Sequence, residues 1–171
     1  MLRNLRLLTF SAIGTLCCTL ALNAQDRVTG LLFNASAPHV RLSLHGIRLH
    51  GRIHFASTSG VFSVHNCTFE PPPANVSTQA LVLSRGDALL EHVRFIGVKA
   101  GALRVDGGDV SVSHSYFGHN TAARGAAVLV SSGALTVGHT LIEFNDAWVE
   151  GGALAVDGGS VLLANETLLR G

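Results

Sequence analysis

The 171-residue chain is poor in the residues that staple small exported domains or mark a charged binding surface. It has three cysteines, and two of them, Cys17 and Cys18, fall within the first 24 residues. Without that segment Cys67 stands alone, which excludes an intrachain disulfide, a cysteine zinc cluster and a redox pair. Charged residues make up 13%, about half the share usual in a globular chain, so little is left for helices with a solvated outer face. Lysine occurs once, at Lys99, and the arginines are scattered singly against an equal weight of acids, so no electrostatic footprint for nucleic acid is present. There is one Trp and one Tyr. What is abundant is aliphatic residues and glycine: 47% of the chain is hydrophobic, 19 residues are Gly and the mean hydropathy is +0.39, values that exclude a disordered tail and favour a β-rich, turn-rich fold.

Residues 1–24 have the layout of a signal peptide. Arg3 and Arg6 precede an uncharged apolar run from Leu7 to Leu22, and small residues stand at Ala21 and Ala24. The run is shorter than the ~20 residues a helix needs to cross the hydrocarbon core, which favours export over anchoring. An uncleaved N-terminal anchor, or a segment beyond this chain, is the only route to a membrane. Residues 25–41 form a lead-in, and export through a eukaryotic secretory pathway would make the sequons at Asn34, Asn66, Asn75 and Asn165 glycan acceptors. Asn75 follows Pro71-Pro72-Pro73, which must loop away from regular structure, and with Asn34 it is the expected glycosylation site.

From residue 42 to 171 the chain repeats, most clearly over 80–171. ALVLSRGDALLEHVRF (80–95), ALRVDGGDVSVSHSYF (102–117), AVLVSSGALTVGHTLI (127–142) and ALAVDGGSVLLANETL (153–168) align without gaps, and all length variation follows the last aligned position. Counting the first Ala as zero, position six is Gly86, Gly108, Gly133 and Gly159. Position twelve is His92, His114, His139 and Asn165. HFASTSGVFSVHNCTF (54–69) fits the frame with Gly60, Asn66 and Phe69, and LSLHGIRL (42–49) reads as a still earlier turn.

Within each unit apolar residues alternate with others over three to five positions, the period of strands, and a glycine divides two such runs. Units of this length suit one coil of a parallel β-helix, so the pattern predicts an all-β, parallel β-helix solenoid of five to six coils, incomplete at its C-terminal end. Leu83, Val105, Val130 and Val156 should stack as one interior row, and Leu90, Val112, Val137 and Leu163 as another. Phe69, Phe95 and Phe117 should form a ring stack tapering to Ile142 and Leu168. The recurrent glycines, Gly60, Gly86, Gly108, Gly133 and Gly159, should sit at corners that need a positive φ.

These repeats resemble right-handed β-helix proteins of the pectin-lyase-like superfamily, and more narrowly the polymorphic outer membrane protein repeat, which joins Phe-x-x-Asn to Gly-Gly-Ala-aliphatic. Phe117-Gly-His-Asn120 leads into Gly125-Ala126-Ala127-Val128, and Ile142-Glu-Phe-Asn145 into Gly151-Gly152-Ala153-Leu154. The second copy has Ile for Phe, and the unit at Phe95 has Val98 where the Asn would stand. The resemblance implies a secreted or cell-surface passenger, on an outer membrane if the source is bacterial, with no fixed activity.

The column of Asn66, His92, His114, His139 and Asn165 is read as a structural ladder whose side chains bond the backbone of adjacent coils, which would bury Asn66 and Asn165. A metal row is the less favoured reading, because ligands must converge on one point. Asp87 and Asp109 share position seven on adjacent coils, a spacing that retaining glycosidases use, yet both follow the corner glycine, where Asp is a good turn residue. The Asn-Thr-Asp, Asp-Asp and Arg-Ile-Lys elements of polygalacturonases are missing, so no catalytic residue, metal or cofactor is assigned. Positions two (Val82, Arg104, Leu129, Ala155) and fourteen (Arg94, Tyr116, Leu141, Thr167) should form two partly apolar faces. The expected function is an exported structural or adhesive module that contacts a cell-surface glycan or protein through Arg94 and Tyr116, with a segment of a longer surface protein as an alternative. A carbohydrate-active β-helix enzyme is the competing class.

Overall fold

The computed structural model describes residues 41–71 and 77–171, together with the strand backbone of Asn4–Leu5, Leu8–Ala12, Cys17–Thr19 and Arg27–Ala35. The cleavage site expected at Ala24, the side chain of Asn34 and the whole of Asn75 lie outside the described residues. Every assigned element is a strand, and all strand pairings are parallel, giving a right-handed parallel β-helix of about four turns. The count is slightly below the expected five to six.

From residue 103 onward each rung has three strands separated by short corners, and in the rung before them the first two run together as Leu81–Glu91. Leu103–Val105, Asp109–Ser113 and Tyr116–Gly118 lie between Leu81–Glu91 with Arg94–Ile96 on one side and Val128–Val130, Ala134–Gly138 and Leu141–Glu143 on the other. Leu154–Val156, Ser160–Ala164 and Leu168–Arg170 form the last rung. Register pairs each side chain with its equivalent one rung away, so like stacks on like. Leu83, Val105 and Val130 are fully buried in one row, as are Leu90, Val112 and Val137 in another. Val156 and Leu163 continue these rows but are 48% and 41% exposed, because no rung covers theirs.

The interior is the source of stability. Phe69, Phe95 and Phe117 are buried, with ring centroids 4.5 and 4.7 Å apart, and a fully buried side chain of this size contributes about 1.5–3 kcal/mol. The exposed ion pairs on the outer faces contribute less each. Two backbone demands fix the first corner. Gly86, Gly108, Gly133 and Gly159 have φ between 81 and 87°, and a Cβ added at Gly108 would overlap the Gly86 carbonyl oxygen of the rung beside it.

Two registers differ from the sequence alignment. In the 54–69 unit the second and third strands pair as aligned, but Ile53 rather than Phe55 opposes Leu81. The two extra residues are absorbed between Phe55 and Val61, where the pairing shifts. Gly60 consequently lies inside the continuous strand Arg48–His65 and lacks the positive φ of the corner glycines. In the last rung Asn165 and Glu166 both take left-handed φ, at 40 and 52°, which inserts one residue. Leu169 therefore opposes Ile142 and continues the column begun by the phenylalanines, and Leu168 moves to the outer face in place of Thr167.

Candidate functional site

The second corner turns on one left-handed residue per rung. Gly46 has φ 68°, and the residues stacked on it are Asn66 (51°), His92 (53°), His114 (48°), His139 (48°) and Asn165 (40°). Asn tolerates this region better than most residues, and His is enriched there too, which explains the column without invoking ligands. The residue points outward, so Asn66, Asn165 and the three histidines are exposed. This corrects the expectation of a buried, backbone-bonding ladder. Their contacts are sideways instead: the rings of His92 and His114 are 5.1 Å apart, and those of His114 and His139 are stacked at 4.9 Å.

The inward position is the next residue. Cys67 Sγ donates to the His65 carbonyl at 3.2 Å, Ser115 Oγ to Ser113 at 2.7 Å and Thr140 Oγ1 to Gly138 at 2.8 Å. Ser115 Oγ also accepts the Val93 N–H of the rung below. Burial pushes the Cys67 thiol pKa up, which keeps it protonated and poorly nucleophilic.

The amide ladder occurs at the third corner, in the Phe-x-x-Asn element. Asn120 is fully buried; its Oδ1 accepts Val98 N–H at 2.9 Å and its Nδ2 donates to the Phe95 carbonyl at 3.1 Å and to Asn145 Oδ1 at 2.8 Å. Asn145 Nδ2 donates to the carbonyls of Phe117 and Glu143, both at 3.0 Å.

After each of these asparagines the chain leaves the solenoid wall. Thr121–Arg124 and Asp146–Glu150 form a separate two-stranded parallel sheet, returning through Gly125 and Gly151 at φ 55 and 68°. Between this arm and the first-strand wall lies a groove of about 480 Å³ lined by residues including Gln79, Arg104, Arg124, Leu129, Trp148 and Asp157. The Trp148 indole is 68% exposed at its edge. Arg104 Nε is 2.7 Å from Asp106, and Arg124 pairs with both Asp157 and Glu150 across rungs. The hydrogen bonds that Arg124 donates to Asp157 first, and to Glu150 second, raise its pKa above the ordinary value. On the same face His54 Nε2 lies 2.7 Å from Ser84 Oγ, and burial, with Arg52 nearby, lowers its pKa.

This groove was missed in the sequence. Its signals are the sole Trp and the added length of the 102–127 and 127–153 intervals beyond that of 80–102, which supplies the arm. The position-two face is not open as expected: Val82 is 2% exposed and Ala155 7%, and Leu129 lines the groove.

Arg94 and Tyr116 lie apart from the groove, side by side on the outer face of the third strands. The Arg94 guanidinium stands 5.6 Å from the Tyr116 ring centre, and Tyr116 donates to Glu143 Oε1 at 3.3 Å. Desolvation first, then the Glu143 carboxylate, raises the tyrosine pKa, while Arg94 opposes the shift. Asp87 and Asp109 are exposed neighbours, and Asp87 Oδ1 accepts the Asp109 backbone N–H at 3.3 Å, a turn-capping role. The groove therefore gathers an aromatic platform and paired hydrogen-bonding groups, whereas Arg94 and Tyr116 largely satisfy each other and Glu143.

No protein-family model, curated protein or solved structure matches this chain.

Proposed function

We propose that the protein is an exported, cell-surface or secreted β-helix module that binds a glycan in the Trp148 groove without cleaving it. The observation that carries this reading is the indole held open beside Arg104, Arg124 and Asp157, in a groove whose volume suits one or two sugar rings. A sugar presents apolar C–H faces to an aromatic ring and a fringe of hydroxyls to charged donors and acceptors, so this pairing of platform and rim matches its chemistry. Arg124 is held by two carboxylates, which pre-orders its guanidinium and leaves the rim nearly neutral, favouring hydroxyl-rich ligands over strongly anionic ones.

Non-catalytic binding is supported by Asp87, whose carboxylate is engaged by the backbone of Asp109. Kinship with the pectin-lyase-like superfamily, and with the polymorphic outer membrane protein repeat, is supported by the asparagine ladder at Asn120 and Asn145 and by the glycine returns at Gly125 and Gly151. The test is affinity electrophoresis through gels containing neutral polysaccharides. Retardation that disappears in Trp148→Ala supports the reading; equal mobility of both proteins in every gel overturns it.

A further inference from the structure

The exposed second corner brings together donor groups that neither the solenoid nor the groove uses. Glu91, His92 and His114 each offer a ligand atom, and these atoms lie within 4.8 Å of one another. Parallel register creates the cluster: Glu91 ends its strand beside the His92 corner, and the next rung sets His114 beside His92. The Glu91 carboxylate is divided between two neighbours, with Oε2 3.2 Å from His65 Nδ1 and Oε1 4.0 Å from His92 Nε2. Among the described residues the His114 side chain makes only ring contacts, which leaves both ring nitrogens available.

We propose that Glu91, His92 and His114 form a surface site for a divalent transition-metal cation of the zinc or copper class. Two imidazoles and a carboxylate are a donor set that such ions accept, with an open position for water. Ligand atoms on one tetrahedral ion stand about 3.3 Å apart, and the cluster reaches that spacing by side-chain rotation because all three residues are at least partly exposed. Magnesium and calcium, which need six or more oxygen donors, are excluded by the imidazoles. Because His92 and His114 belong to successive rungs, the ion ties two coils together and strengthens their stacking.

The corner itself supplies substitutions that keep the fold. Asn occupies the same left-handed position at Asn66 and Asn165, so His92→Asn and His114→Asn remove an imidazole while preserving the turn. Isothermal titration of the purified full chain with zinc chloride should give saturable binding of one ion, weakened at least tenfold in His92→Asn, His114→Asn and Glu91→Gln. The wild-type melting temperature should rise with zinc but not with magnesium or calcium chloride. His119→Asn, at another left-handed exposed position, should leave zinc affinity unchanged. Absence of saturable binding to the wild type, equal affinity in His114→Asn, or equal loss in His119→Asn overturns the proposal.

Discussion

Asn120 and Asn145 occupy equivalent positions on adjacent rungs, and the amide nitrogen of the first donates to the amide oxygen of the second at 2.8 Å. Each asparagine also holds the backbone of its neighbouring rung, so the third corner is closed by side chains that replace the hydrogen bonds a strand would have made. The ladder has an energetic consequence. Asn120→Ala removes the acceptor for the Val98 N–H and a donor to the Phe95 carbonyl where water has little access, and it should destabilise the protein by about 2–3 kcal/mol. Urea unfolding followed by circular dichroism measures this; a loss under about 0.5 kcal/mol would show that the bonds are dispensable.

The first corner makes a sharper distinction between two glycines. Gly108 combines φ 81° with a carbonyl oxygen where its Cβ would go, whereas Gly138 lacks a positive φ and its nearest such neighbour is 3.7 Å away. Gly108→Ala should cost about 2 kcal/mol or more, and Gly138→Ala should be close to neutral or slightly stabilising. Paired denaturation curves decide the matter, and similar losses at both positions would refute the corner's twofold requirement.

His54 gives the fold a dependence on pH. Desolvation first, with Arg52 adding to it and Asp106 opposing, lowers its pKa from the ordinary 6.5, so the folded protein favours the neutral ring. The unfolded chain then binds the proton more readily, and the stability contributed is complete above about 6.5 and falls away as pH drops through that value toward the lowered folded pKa. Melting temperatures measured from pH 7.5 to 5 should fall less steeply for His54→Gln than for the wild type. Parallel curves would mean that His54 titrates alike in both states.

The solenoid was legible because its signals are periodic. Alternation set the inward faces of Leu83, Val105 and Val130, and the recurrent glycine marked Gly86, Gly108, Gly133 and Gly159. What a gap-free alignment hides is an inserted residue: the second left-handed residue at Glu166 moves Leu169 into the aromatic column, and the excess around Ala56–Gly60 turns a supposed corner into strand. The column of Asn66, His92, His114, His139 and Asn165 has the more obvious ladder chemistry, yet a left-handed residue projects outward. Asn120 and Asn145, spaced behind Phe117 and Ile142, were the ones turned inward. The groove depends on where an arm of Thr121–Arg124 and Asp146–Glu150 folds, which no repeat position encodes.

The measurement that tests the proposed function most directly is the fluorescence of Trp148, because the chain has no other tryptophan. The purified protein is titrated with short neutral, amino-sugar and uronate oligosaccharides while the emission spectrum is recorded. Binding in the groove predicts a saturable blue shift for the neutral or amino-sugar members as a ring covers the 68%-exposed indole, with no comparable shift for the uronates. An indole whose emission stays that of a water-exposed tryptophan at every concentration of every oligosaccharide contradicts a glycan-binding groove.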